Sequence, residues 1–196
     1  MTAAVDLYQL DTGRLSEGTE RAVLGVYAQW VTGELDYDTA AVVIAGIINR
    51  ANAAATAVAD SWLAVQIEQQ ARLPVPTVGI VPADDSDRLL RAATTVLDDR
   101  ETGEMRLARL GRAEPLEAAH QATTEAIRHQ PLVEGWTRAM DGDPCQLCRW
   151  WWRQGRTWPK AHPFQRHKGC NCQPRIVVAE NIQSTGYTRQ LERNRA

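Results

Sequence analysis

Cys145-Gln-Leu-Cys148-Arg-Trp-Trp-Trp152, followed after residues 153–166 by His167-Lys-Gly-Cys170-Asn-Cys172, organises this chain. All four cysteines lie within it, as do His162 and His167. Two thiolates separated by two residues can grip one side of a tetrahedral ion, and a second Cys/His cluster can close the other. The candidate ligands are Cys145, Cys148, His167, Cys170 and Cys172, with His162 a weaker sixth. Four cysteines, or three cysteines with His167, both satisfy a four-coordinate ion, and spacing does not choose between them. Two disulfides or ordinary buried cysteines are the rival readings. Residues 1–10 lack a basic region followed by an apolar one, so an oxidising compartment is not expected. The expected cofactor is therefore structural zinc.

On either side of this stretch the residues favour extended chain. Residues 133–140, Val-Glu-Gly-Trp-Thr-Arg-Ala-Met, lead in, and residues 175–179, Arg-Ile-Val-Val-Ala, lead out. The two are expected to pair antiparallel with the metal at their open end. Asp141-Gly142-Asp143-Pro144 reads as a turn, and residues 148–154 as a short helix bearing tryptophans. Trp150, Trp151 and Trp152 are consecutive, so they cannot all face one way on a helix. Some should form the core of the small module, and at least one should face solvent, a partner or a stacked base.

Further upstream the pattern is helical. Ser16 can cap a helix over residues 16–32, preceded by a flexible lead-in over residues 1–12, with Gly33 just past its end. A second helix starts near Asp38 and runs to about Arg72, with Tyr37 and Val42 spaced as a hydrophobic staple. Its apolar residues Ile44, Ile48, Ala51, Ala55, Val58, Trp62 and Val65 alternate steps of four and three, a heptad seam. Pro74, Pro76 and Pro82 make the next segment an extended strap. Three shorter helices are expected after it: residues 86–97, residues 101–110 ended by Gly111, and residues 114–129 with Pro115 in the first turn. His120 and His129 read as solvated or helix-end residues.

The fold class is thus mainly α (α+β overall). A long-helix hairpin or bundle is followed by a small C-terminal zinc-knuckle β-hairpin module. The organisation is a helical hairpin (1–72), a Pro-rich strap (73–85), a short-helix region (86–130), the knuckle (131–180) and a basic tail (181–196) in which Arg189, Arg193 and Arg195 are exposed. No unbroken apolar run reaches the ~18–20 residues of a membrane span, so no membrane partner is expected.

Charge divides along the same line. Residues 1–144 carry 12 basic and 22 acidic side chains, and residues 145–196 carry 10 and 2. A basic, aromatic module on an acidic body suggests polyanion contact through Arg149, Arg153, Arg156, Lys160, Arg166 and Lys168. The bland alternative is that the two parts face each other. Nucleotide-binding and hydrolase signatures (GxGxxG, a phosphate-binding loop, HExxH, GxSxG) do not occur. The carboxylates flanking the knuckle are only Asp141 and Asp143, and thiolate-rich coordination points to structure, not catalysis.

The quoted pattern resembles the C-terminal zinc-binding motif of the MuF-like minor head proteins of tailed bacteriophages, in the form found in phages of actinobacteria. The likeness covers residues ~134–178, and the helical part agrees only in general character. It implies a structural minor capsid protein: a virion component assembled in the host cytoplasm, present in several copies, and contacting portal or major capsid protein and packaged DNA. Carried over, the ligands would be Cys145, Cys148, Cys170 and Cys172, with His167 competing. A capsid maturation protease and a free zinc-containing DNA-binding protein are the alternatives.

Overall fold

A computed structural model describes residues 4–178. The expected basic tail (181–196) and its three arginines lie outside them. The protein is mainly helical, with a small C-terminal antiparallel sheet of three strands. Its long helices are α1 (Ala4–Val31), α2 (Tyr37–Ala71) and α4 (Gly103–His129), with the shorter α3 (Ser86–Asp98) between the last two in sequence. These three long helices pack against one another, and α3 leans chiefly on α2.

Helix α1 begins twelve residues before the expected cap, so residues 4–12 are helical and not a loose lead-in. Ser16 is buried inside it, and its hydroxyl donates to the Arg112 carbonyl at 2.6 Å. Serine suits a cap because it bonds nearby backbone, but here it bonds across to another helix. At the far end Gly33 takes φ +80, as a residue past a helix C-terminus often must.

Helix α2 is capped by Asp36, whose carboxylate accepts the Thr39 N–H at 2.8 Å. Val42 is exposed, so the expected staple does not form. Instead Tyr37 lies edge-on to Trp30 and donates its hydroxyl to Asp98 at 2.8 Å. The buried stripe follows an eleven-residue interval: Ala41, Asn52 and Leu63 share one line, and Ile44, Ala55 and Gln66 another. Eleven residues over three turns is close to the period of a straight helix, whereas a heptad drifts. The seam therefore holds at Ile44, Ile48, Ala51 and Ala55, then passes to Ala59, Leu63 and Ile67, leaving Val58, Trp62 and Val65 only partly buried. By length and composition α2 could cross a membrane, because alanine keeps it apolar without any unbroken apolar run. Here α1, α3 and α4 cover its stripe.

Asp60 on α2 holds the Pro-rich strap. Its carboxylate accepts the N–H groups of Val78, Gly79 and Ile80 at 2.8, 2.7 and 3.0 Å. Val75 is buried under the strap against Leu63, Ile67 and Ile127.

The second and third expected short helices are one helix, α4. Gly111 does not end it but lets α1 approach: a methyl group there would lie 2.7 Å from Val23 Cγ2 and 3.2 Å from Glu20 Cα. Pro115 is interior, four residues on, and leaves only the Gly111 carbonyl without its helical donor.

The sheet has the order β2-β1-β3, with β1 Val133–Ala139, β2 Trp158–Pro159 and β3 Gln173–Val178. Strands β1 and β3 pair antiparallel, as expected, from Val133↔Val178 to Ala139↔Gln173. The two-residue β2 was not foreseen. Its Trp158 sits opposite Trp136. Ile176 and Val133 join Leu63, Ala126 and Ile127 in a core that binds the sheet to the bundle.

Candidate metal centre

The register of β1 and β3 brings both halves of the Cys/His pattern to one end of the sheet. Beyond Ala139 the chain turns, and Cys145 becomes the N-cap of α5 (Gln146–Trp152). Cys148 sits one turn further along, so both sulfurs lie on one face. On the other side a turn closes with the Cys170 N–H on the His167 carbonyl, helped by φ +75 at Gly169. Cys172 follows and leads directly into β3.

All five expected ligands come together as two triads that share one sulfur. Cys145, Cys148 and His167 form one, and Cys148, Cys170 and Cys172 the other, each with its ligand atoms within 4.8 Å of one another. His167 Nε2 lies 3.0 Å from Cys145 Sγ and 3.4 Å from Cys148 Sγ, and Cys148 and Cys170 sulfurs are 3.5 Å apart. Sulfurs held 2.3 Å from a tetrahedral ion would be about 3.8 Å apart, so this spacing suits a metal. It does not suit a disulfide, and all four cysteines are free thiols. The cluster can hold a metal ion. His162, the weaker candidate, stacks on Trp158 with ring centroids 4.0 Å apart and takes no part in either triad.

Protein chemistry around the ligands agrees with that use. His167 turns Nδ1 toward the Lys168 carbonyl at 3.1 Å, which fixes its proton there and frees Nε2 for the sulfurs. The Asp141 N–H points at Cys172 Sγ at 3.5 Å. Cys148, Cys170 and Cys172 are buried, and Cys145 is exposed. Burial pushes the Cys148 thiol up to about 12. The neighbouring Cys170 thiol and then burial push Cys172 higher still. Crowded thiols resist ionisation on their own, and a dication would reverse that preference by attracting the thiolates.

Several residues that hold the cluster in place were not legible as such. His120, expected to be solvated, is buried on α4. Its Nε2 lies 2.8 Å from the Cys172 carbonyl, and its ring stacks on Phe164. Burial lowers its proton affinity. Its position on the line Leu116, Ala119, His120, Thr123 is the signal that could have revealed it. Asn171, between two ligands, donates to the Gln9 carbonyl at 2.7 Å and accepts the Thr12 hydroxyl at 2.7 Å. Gln9 in turn donates to the carbonyls of Ala139 and Asn171 at 3.2 Å each. The start of α1 is thus bonded to both sides of the knuckle.

The three consecutive tryptophans do not form the core of the module as expected: none of them is buried, because the inward side of α5 is taken by Cys148. Trp136 is buried among Phe164, His162 and Trp158. Trp150 is 61% exposed, Trp152 is exposed as well, and Trp151 is half-buried with the Arg138 guanidinium 5.4 Å from its ring. Arg138 is buried with its guanidinium 4.0 Å above the Phe164 ring, donating to the Gln165 carbonyl.

The six cations expected to meet a polyanion are not equivalent. Arg166 pairs with Glu117 on α4, and Lys160 donates to the Gln130 carbonyl at 2.7 Å. Arg156 lies 4.4 Å over the Trp158 ring, and Arg149 donates to the Pro144 carbonyl at 3.0 Å. Arg153 and Lys168 are exposed. Arg149, Arg153 and Arg156 share an open depression with the three consecutive tryptophans, and among the described residues no carboxylate lines it. Compared with family models, curated proteins and solved structures, the chain finds no match.

Proposed function

We propose that this chain is a structural minor head protein of a tailed phage, of the MuF-like kind, whose C-terminal module is stiffened by one zinc ion. The convergence of Cys145, Cys148, His167, Cys170 and Cys172 at the open end of the β1–β3 ribbon carries the reading. Zinc is favoured over other ions because the donors are thiols and an imidazole at tetrahedral spacing, without a carboxylate among them. Zinc bound there would supply cross-linking and no reaction step. The ligands' role is to tie the Cys145 turn to the Cys172 turn, while His120 and Asn171 transmit that rigidity to α4 and α1. The reading assigns no catalytic residue. It places the protein in the phage head, after assembly in the host cytoplasm, in several copies against portal or major capsid protein.

Two measurements test it. Elemental analysis of the purified protein is expected to find one zinc per chain, and none would end the metal reading. Mass spectrometry of purified particles is expected to find the chain with portal and capsid proteins, and its absence would end the head assignment. Capsid processing that stops after a single substitution in this chain would instead favour a maturation protease.

A second reading has its own support in the depression at α5. Exposed indoles beside Arg149, Arg153 and Arg156, with no lining carboxylate among the described residues, suit a single-stranded nucleic acid whose bases stack and whose phosphates are neutralised. Trp150→Ala is expected to weaken oligonucleotide binding by 1–3 kcal/mol, on the order of one stacked base. Binding insensitive to salt would exclude this contact.

A further inference from the structure

The charge division along the sequence, acidic body and basic tip, does not hold on the surface between α3 and α4. Helix α3 rests mainly on α2 and diverges from α4, leaving a groove of about 550 Å³. Its floor is apolar and small: Ala92, Val96, Leu110 and Ala113. Among the described residues five cations line it, Arg88, Arg91, Arg106, Arg109 and Lys168, against two carboxylates, Glu114 and Glu117.

The carboxylates are already engaged. Glu114 accepts both Arg88 guanidinium nitrogens, at 2.6 and 3.1 Å. Glu117 is held by Arg166, which approaches from the knuckle. Arg106 pairs with Asp99 at 2.8 Å. What remains is Arg91 on one wall, Arg109 on the other and Lys168 at one end. None of these three side chains forms an ion pair among the described residues. An apolar floor between two helices, rimmed by uncompensated cations, has the shape and charge to receive an amphipathic helix with acidic flanks.

We propose that the α3–α4 groove docks an acidic amphipathic helical segment of a partner protein. Leucine-like side chains would fill the floor over Ala92 and Ala113, and flanking carboxylates would meet Arg91, Arg109 and Lys168. Arg91 and Arg109 stand on α3 and α4, away from the metal ligands and the α5 depression, and only Lys168 belongs to the knuckle, so variants at 91 and 109 test the proposal apart from the metal centre.

The probe is a synthetic eighteen-residue helix with leucine on one face and glutamate on its flanks. A lysine-flanked copy, a scrambled copy and a single-stranded oligonucleotide serve as comparisons. Methyl NMR of the full chain reads the contact at Ala92, Val96, Leu110 and Ala113, and fluorescence anisotropy reads the affinity. The glutamate helix is expected to shift those methyls and bind at least about tenfold more tightly than the lysine copy. The double variant Arg91→Glu/Arg109→Glu should lose at least about tenfold in affinity while keeping its melting temperature, since both side chains are exposed. A milder pair, Arg91→Gln/Arg109→Gln, should fall between. Failure of the glutamate helix to shift these methyls would overturn the proposal. So would equal binding of the lysine or scrambled helix, occupation of the same methyls by the oligonucleotide, or self-association of the chain that the double variant abolishes.

Discussion

Cys148 belongs to both triads, and that makes its replacement the sharpest test of the metal centre. Every set of four that includes Cys148 contains one of the triads whole, and the one set without it, Cys145, His167, Cys170 and Cys172, contains neither. Structural zinc in small modules is held by roughly 10–16 kcal/mol at neutral pH. Shared over four ligands, that is about 2.5–4 kcal/mol each, or on the order of 10²–10³ in affinity. Cys148→Ser should therefore raise the zinc dissociation constant by at least about a hundredfold. Cys145→Ser, at an exposed sulfur, and Cys172→Ser should each cost less, because the other triad stays whole. Competition against a chromophoric chelator measures all three on one scale, and cobalt substitution reports whether thiolate coordination survives. The reasoning is refuted if Cys148→Ser binds within threefold of the unsubstituted protein, or if Cys145→Ser proves the more damaging change.

Three further outcomes follow from the packing. Gly111→Ala gains about 1 kcal/mol of helix propensity but forces a methyl to 2.7 Å from Val23. Overpacking of ~1–3 kcal/mol should win and lower the melting temperature. Gly25→Ala, with nothing within 4 Å, should raise it by about 2–4 °C, and calorimetry compares the two signs. Asp60→Ala strips three strap N–H groups of their acceptor and should destabilise by roughly 2–5 kcal/mol in urea titration, with Asp60→Asn milder. Burial disfavours the ionised Glu117 carboxyl, but the Arg166 hydrogen bonds and charge outweigh it and hold the carboxyl below its ordinary value of 4.5. Its stabilising contribution is therefore complete above that value and vanishes as pH falls through the lower, folded-state one. Glu117→Gln should be less stable at neutral pH and show a shallower loss on acidification, as read from unfolding curves along a pH series.

How legible the protein was depended on whether chemistry or packing decided each element. The knuckle was readable because cysteine and histidine declare their use by type and spacing, and because Arg-Ile-Val-Val favours strand wherever it falls. The helical body was readable in kind but not in its boundaries. Ser16, Gly111 and Pro115 are ordinary punctuation for a helix end, yet each sits inside a helix because a neighbouring helix overrides the local preference. Ser16 finds its acceptor on α4, and Gly111 supplies the gap that α1 fills. The seam of α2 was correct for its first half only, since seven residues and two turns of a straight helix do not match. His120 and Asn171 were missed because their partners, a backbone carbonyl and the opening turns of α1, lie far away along the chain.

The bonds between Gln9 and Asn171 join residues 162 positions apart. The opening turns of α1 can pack early on α2, where Tyr8 meets Ala55 and Ala59 and Trp62 donates to Asp11, but Gln9 and Thr12 gain their Asn171 partner only once residue 171 has been made. The polar side of those turns therefore waits on synthesis of the knuckle. Ion capture should accordingly be a late event in folding, and a chain arrested before residue 170, lacking the Asn171 bonds to Gln9 and Thr12, should exchange the amide protons of residues 9–12 faster than the finished molecule.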